Sequence, residues 1–394
     1  MMRTVGTRAM GIRTPIIKEG DDLVAIVTDS LLEAAQEDGF AFADRDVVGV
    51  TEAVVARAQG NYATVDQIAK AVRRQFPSGT VGLVFPILSR NRFAMLLKGI
   101  ARGVEKLVVQ LSYPADEVGN AVVDRDLVDD AGLDPYADAL DEPRFRELFG
   151  QEVKHPFTGV DYVRYYQGLG DNISVVLCAD PRHILKYTDK VIAGDIHSRI
   201  HTRRALIKAG AAKVVTMDQL LTEPVDGSGY NEQYGLLGSN KASEERVKLF
   251  PRECQAFVDA LAASLQSATG KHIEVMVYGD GGFKDPVGGI WELADPVISP
   301  AYTPGLTGTP NELKLKYLAD TKFAHLSGVA LDQALQAEVR SKGTQTLLGK
   351  MESEGTTPRQ FTDLLGSLCD LTSGSGDKGT PVVLVKGYFD NYAN

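Results

Sequence analysis

Residues 373–387 read S-G-S-G-D-K-G-T-P-V-V-L-V-K-G, and the parsing of that stretch decides the fold. It holds a G-x-G-x-x-G at Gly374, Gly376 and Gly379, the spacing of a dinucleotide-binding turn. In that fingerprint the glycines follow a strand and open a helix, so that a pyrophosphate meets the helix N-terminus. Here they follow a helix-like run, residues 358–371, and lead through Pro381 into V-V-L-V, which reads as a buried strand. The order of elements argues against a Rossmann turn. It predicts a loop whose glycine backbone can turn N–H groups towards an anion, with Lys378 beside them as a point charge. Asp377 in the same loop suits a divalent cation lying between acid and phosphate. A polar surface loop between helix and strand accounts for the same residues.

With 394 residues and 44% apolar content the chain can bury a core and form two or more domains. The net charge of -10 comes without a basic cluster long enough to follow a nucleic-acid backbone, so a nucleic-acid partner is not expected. Cys178, Cys254 and Cys369 are far apart, odd in number and free of C-x-x-C spacing, which predicts reduced thiols and a cytoplasmic setting. The opening M-M-R-T-V-G has no apolar core, and no later run approaches about 18 apolar residues, so neither secretion nor membrane spanning is expected.

In chain order, T-P-I-I-K-E-G-D-D-L from Thr14 leads into Leu23, Val24, Ile26, Val27, Leu31, Leu32 and Ala35 at helical spacing, with Asp21 or Asp22 as N-cap and Gly39 as C-cap. D-V-V-G-V from Asp46 reads as a strand, and Thr64 with Gln67 has capping-box spacing at a helix start. Strand-like residues 81–85 and 107–111 against a helix-like 93–102 predict further α/β structure. Residues 116–142 carry ten acids and read as a solvated excursion. A strand over 172–179 and a helix over 195–209 follow, ending at Gly210. That helix would put His197 and His201 on one face, but the string H-S-R-I-H lacks the glutamate of a zinc-protease helix, so a structural or solvent-facing pair is expected. Arg199, Arg203, Arg204 and Lys208 read either as an exposed basic face or as receivers of an acidic substrate.

Beyond Gly210, Val214-Val215 reads as a short strand and two helical pieces flank Pro251, the second ending near Gly270. Residues 272–278 form a strand that ends in G-D-G-G-F-K-D-P. An acid at a strand's carboxyl end followed by two glycines, as at Asp280, can hold a cation and bring backbone close to a phosphate. A plain Asp-Gly turn is the alternative. Residues 300–310 read as loop, with helices near 312–322 and 331–341. There is no P-loop, since residues 343–350 have one spacer too many and Met351 stands where Ser or Thr should follow, and neither H-R-D nor G-x-S-x-G occurs.

Residues 14–23 with 46–60, residues 278–288 and residues 374–387 together resemble the gamma-glutamyl ligases that act on the deazaflavin coenzyme F-420. The P-I-I-K-E-G-D-D-L helix start, the D-V-V-G-V strand and a basic residue ahead of A-x-G carry most of the resemblance. It covers roughly the first 75 residues and the last 180 or so. The resemblance implies a mixed α/β (α+β) fold, with a ligase-like core over 1–75 and 211–394 and an inserted α/β region over 76–210 that would serve acceptor recognition. It further implies a homodimer that uses GTP, or ATP, with magnesium or manganese to join L-glutamate to a small-molecule carboxylate. Carried onto matching positions, Thr14, Pro15, Ile16 and Ile17 would touch the nucleotide, and Arg57 would replace a phosphate-facing lysine. Asn231 and the loop residues Gly374, Ser375, Gly376, Asp377, Lys378 and Gly379 would complete the nucleotide site. Asp226, Asp280 and Asp377 would hold metal. The chain departs from the family pattern at Glu52-Ala53, where the family has Ser-Thr, and at Gly281, where it has Thr. The acidic or amide residue that the family carries ahead of the loop glycines is also missing.

The residue types fit that chemistry in their own right. A carboxylate must be phosphorylated before it can acylate an amine, and phosphoryl transfer calls for cations on the nucleotide oxygens more than for a nucleophilic side chain. The expected activity is an amide-forming glutamate ligase acting on coenzyme F-420-0, on a folate or on another acid. A catalytically silent nucleotide-binding module and an unrelated metal-dependent phosphotransferase are the alternatives from other classes.

Overall fold

The V-V-L-V-K run at 382–386 is buried at every position because it lies inside a sheet, paired on both sides. Its β-branched residues meet packed neighbours on both faces, which is why it reads as a continuous apolar run without alternation. The computed structural model describes residues 4–156, 158–279, 283–284, 291–292, 299–343, 346–347, 349–353, 359–373 and 377–393. The first stretch supplies β1 (Arg8–Ile12), α1 (Leu23–Asp38), β2 (Val47–Thr51), α2 (Glu52–Ala58), β3 (Tyr62–Thr64) and α3 (Val65–Gln75). The middle supplies β4 (Thr80–Val84), α4 (Phe93–Gly103), β5 (Lys106–Leu111), α5 (Arg125–Asp130), β6 (Leu140–Asp141), α6 (Glu142–Phe149), α7 (Tyr162–Gln167), β7 (Ile173–Leu177), β8 (Lys190–Ala193), α8 (Arg199–Lys208) and β9 (Lys213–Thr216). The last part supplies β10 (Asn240–Ser243), β11 (Arg246–Lys248), α9 (Cys254–Thr269), β12 (Glu274–Tyr278), the short pair β13 (Phe283–Lys284) and β14 (Trp291–Glu292), β15 (Ala301–Tyr302), α10 (Leu315–Asp320), α11 (Gly328–Ser341), α12 (Phe361–Thr372) and β16 (Val382–Lys386).

The first sheet runs β1-β16-β2-β12-β15. β16 is antiparallel to both β1 and β2, and β2 is parallel to β12. Side chains alternate across it. Val48 and Val50 join the apolar cluster under α1 and α9, and Val47 joins the one under α12. Asp22 caps α1 by accepting from the Ala25 N–H, and Gly39 closes it in the left-handed region, both as the sequence predicts. The Thr64 and Gln67 capping box is also present at α3. Lys386 ends β16 in a buried ion pair with Asp46 at 2.5 Å, which fixes the end of the sheet away from the glycine loop.

The second sheet runs β6-β7-β5-β4-β8-β9, all parallel except β6, with helices on both faces. A small sheet of β10, β11 and β3 lies between the two larger ones in sequence, and α3 packs against α4 through Ile68 and Gly99. Mixed α/β structure is therefore present throughout, as expected.

Three local expectations need correction. The segment before Pro251 is the β10–β11 hairpin, not a helix, because its inward residues Val247 and Leu249 are two apart while 241–246 are exposed polar residues and Ala242. Residues 116–142 are not a solvated excursion, since Val118, Val122, Val123, Val128 and Leu140 are buried in the main core. The acids there cap and brace turns: the Asp116 carboxylate accepts from the backbone N–H groups of Leu88, Val118 and Asn120. Finally, α8 begins at Arg199, so His197 precedes it and the two histidines do not share a helix face.

Gly49 in β2 is a position that a side chain cannot occupy, because a Cβ there would lie 2.6 Å from Cys369 Sγ of α12. Gly49→Ala is expected to destabilise the fold by about 1–3 kcal/mol through overpacking. The same substitution should cost clearly less in a Cys369→Ala background, which urea unfolding of the four-member cycle will measure. Equal costs in both backgrounds would show that the strand absorbs the methyl elsewhere.

Candidate functional site

Register sets the site. Ile12 pairs with Val382, Val382 with Val50, and Val50 with Val277, so four strands end at or one residue beyond one transverse row. β1, β2 and β12 run outward at this edge, and β16 runs inward. The described segments beyond the row therefore meet: the 13–20 loop, the start of α2 and residues 377–381 ahead of β16. Thr51 N–H donates to Pro381 O at 3.0 Å, Thr14 N–H to Gly379 O at 3.3 Å, and Arg13 Nε to Lys378 O at 3.4 Å. The 13–20 loop is tied back to α2 by Gly20 N–H donating to Ala58 O at 2.8 Å.

Under this edge lies a buried ion pair. Glu52, the first residue of α2, accepts from Lys248 Nζ of β11 at 3.3 Å and from Thr51 Oγ1 at 2.8 Å. The side chains are 2% and 12% exposed, so the pair is held in low dielectric where each charge depends on the other. Beside it, burial pushes the Cys254 thiol up to about 12, and burial likewise raises the Tyr278 phenol far above its usual range. The buried hydroxyl of Thr380 makes no hydrogen bond among the described residues, and that of Tyr278 has only the Ser373 hydroxyl beside it. Unmet buried hydroxyls are rare and mark places where water, an ion or a ligand completes the network.

Of the residues named from the sequence, Thr14, Pro15, Ile16, Ile17, Asp377, Lys378 and Gly379 come together at this edge. Ile17 is buried in the core, whereas Pro15 and Ile16 are exposed, Ile16 at 74%. Asp377 and Lys378 are exposed. Arg57 lies in the last turn of α2, exposed and without an ion-pair partner among the described residues. Asp280, Gly374, Ser375 and Gly376 lie outside the described residues. Two others sit elsewhere. Asp226 pairs with Lys70 of α3, which lowers its pKa, and its carbonyl accepts from Gln67 Nε2 at 3.1 Å. Asn231 is buried and committed to the fold, donating to Phe250 O and Pro251 O while accepting from the N–H groups of Gln233 and Tyr234. Among the described residues no group of three His, Cys, Asp or Glu side chains could hold a metal ion.

Glu52, Lys248, Tyr278 and Thr380 were not singled out as site residues by the sequence. An acid directly after a strand was the one available signal for Glu52; Lys248 lies in a polar hairpin with none. Among the described residues, no helix is long and apolar enough to cross a membrane.

A family model described as F420-0:Gamma-glutamyl ligase matches residues 11–387. No curated protein matches the chain.

Lys248→Met leaves Glu52 buried without its counter-charge and is expected to cost about 3–5 kcal/mol in unfolding free energy. Adding Glu52→Gln should recover much of that loss. Strictly additive losses in the denaturation cycle would mean that the two side chains do not interact.

Proposed function

The chain belongs to the F420-0:Gamma-glutamyl ligase family, and from that membership we propose that it joins the amine of L-glutamate to a carboxylate acceptor at the expense of a nucleoside triphosphate. The observation that supports this reading is the row Ile12, Val382, Val50 and Val277, at or one residue from the ends of four strands, beyond which the 13–20 loop and residues 377–381 touch. GTP is the nucleotide that the family likeness favours, with ATP as the alternative. The acceptor is coenzyme F-420-0 or another acid such as a folate, recognised with help from residues 76–210, and the working form is a homodimer.

In this reading Lys378 and Arg57, both exposed and unpaired among the described residues, bind phosphate oxygens as point charge and planar fork. The backbone around Gly379 turns N–H groups to the same oxygens, its φ of 66° being open to glycine without strain. Pro15 and Ile16 offer an apolar surface for the base. The unmet hydroxyls of Thr380 and Tyr278 supply hydrogen bonds at the floor of the site, which is the fit between these residues and a polyanionic ligand. A divalent cation, magnesium or manganese, neutralises phosphate charge when bound, with Asp280 and Asp377 as the carboxylates that would hold it. Asp226 joins them only if its ion pair with Lys70 opens. The acceptor carboxylate takes the terminal phosphoryl group of the nucleotide, whose diphosphate leaves, to give an acyl phosphate; the glutamate amine attacks its carbonyl carbon, and inorganic phosphate and a proton leave as the amide forms.

A second reading, a module that binds nucleotide without turnover, is favoured by one observation. Glu52 stands where the family pattern has serine and is locked to Lys248, so it offers no free hydroxyl to a ligand.

Incubation with GTP or ATP, magnesium or manganese, L-glutamate and a panel containing coenzyme F-420-0 and folate is expected to give an acceptor heavier by one or more glutamyl units, with one phosphate released per unit. Asp280→Asn and Lys378→Met should each lower kcat/KM by about 100-fold or more. Tight nucleotide binding with no phosphate release and no mass change across the panel would move the assignment to the second reading.

A further inference from the structure

The second sheet carries its own site geometry. Taking β4, β5, β7, β8 and β9 as first to fifth in chain order, their order in space is third, second, first, fourth, fifth, all parallel. The winding reverses between β4 and β8. α4, which follows β4, packs into the cluster on one face, and Leu206 of α8, which follows β8, packs into the cluster on the other. Loops that leave neighbouring strands towards opposite faces part at the carboxyl ends, and that crevice is where open α/β sheets bind ligands.

The residues in the crevice are not those that stability alone would place there. Gly194 N–H donates to Val84 O at 2.7 Å, so the two strand ends are held together, and Asp195 follows with no exposed surface. One carboxyl oxygen of Asp195 accepts from Thr202 Oγ1 at 2.6 Å, and the other has no hydrogen-bond partner among the described residues. Besides Thr202, its polar neighbours are its own backbone N–H, the Ser198 hydroxyl and the Glu117 carboxylate, but Ser198 gives its single proton to Glu117 at 2.9 Å. Burial, with Glu117 adding to it, drives the Asp195 carboxyl up to about 6. The Glu117 carboxylate, from the loop after β5, also accepts from the backbone N–H groups of Ile196, His197 and Ser198, the last two at 3.1 Å, ahead of α8. Three amides and a hydroxyl at a helix start form a receptor for an anion. An orphaned buried acid beside a second acid costs free energy unless something else occupies the space between them.

We propose that this crevice is a second ligand site, for a small molecule with an anionic head, phosphate or carboxylate, and a hydrogen-bond-donating group. Glu117 holds the place of the head until the ligand displaces it, and Asp195 receives the donor. The adjoining cavity, about 30 Å³ and lined by Ile87, Phe93, Gly194, Ile196, Met217 and Leu236, holds no more than a water or two, so entry requires the Glu117 loop to move. The inference is independent of the ligase reading.

Full-length wild type, Glu117→Ala and Glu117→Ala/Ser198→Ala are compared by thermal unfolding and titration calorimetry in phosphate, acetate and chloride at equal ionic strength. Glu117→Ala should lose stability in chloride and regain it saturably with one of the other anions, binding that anion about tenfold or more tighter than wild type does. Recovery with phosphate alone assigns a phosphate head, and recovery with acetate alone a carboxylate head. Ser198→Ala should abolish the recovery. If Glu117→Ala does not fold, Glu117→Gln keeps the shape, and the same anion preference over wild type is expected. No saturable anion effect in a folded Glu117 variant, or an effect indifferent to Ser198→Ala, overturns the proposal and leaves Glu117 as a cap on α8. Phosphoethanolamine should bind Glu117→Ala severalfold tighter than inorganic phosphate, and Asp195→Asn should erase that margin; equal binding of the two probes overturns the role given to Asp195.

Discussion

The chain's two ends meet in one hydrogen-bonded ladder, and everything at the first sheet's edge depends on it. β16 fits between β1 and β2, antiparallel to each, so residues 8–12 and 382–386 share a register despite their separation in sequence. A slip of one residue would turn each side chain of β16 to the other face and would take Lys386 off Asp46. The ion pair holds one end of the strand, and Thr51 donating to Pro381 holds the other. The position of residues 377–381 follows from these two ties, because they deliver the chain into β16.

The same geometry separates structural charge from available charge. Glu52 and Lys248 are buried against one another, and Asp46 and Lys386 likewise, so neither pair presents charge to solvent. Arg57, Asp377 and Lys378 remain exposed to solvent. The buried pairs hold strands and the start of α2 in place, while the exposed charges are the ones a ligand can reach.

Local signals in the sequence were legible where a residue's role is set by its near neighbours. Asp22, Gly39, Thr64 with Gln67 and the V-V-L-V run all act as their types and spacings predict. The 14–17 segment and the 377–379 loop could be named as parts of one site through a family likeness, but their contact is a matter of strand pairing over the whole chain length. Long-range roles were hidden for physical reasons. Polar residues of the β10–β11 hairpin face solvent on a small sheet, so periodicity misread it as helix. Acids such as Asp116 and Glu117 look like a solvated run in composition, yet they bond backbone N–H groups inside turns. A doubly wound sheet without a glycine fingerprint gives its strand order no trace in sequence.

The shared cluster beneath α3 bears on modularity. Residues 76–210 stand out in the sequence as an insert, but the sheet they build is completed by β9 beyond them and roofed by α3 before them. Gly99 and Gly103 let α4 approach so closely that a methyl on Gly103 would lie 2.7 Å from the carbonyl oxygen of Ala69. Val65, Ile68 and Val72 of α3 are fully buried in this cluster, each contributing about 1.5–3 kcal/mol by burial. Excising the insert at its apparent boundaries would therefore strip the remaining chain of its own packing and orphan a strand. The second sheet is thus built from three parts of the chain, residues 76–210, the helix before them and the strand after them, and it is no self-contained insert.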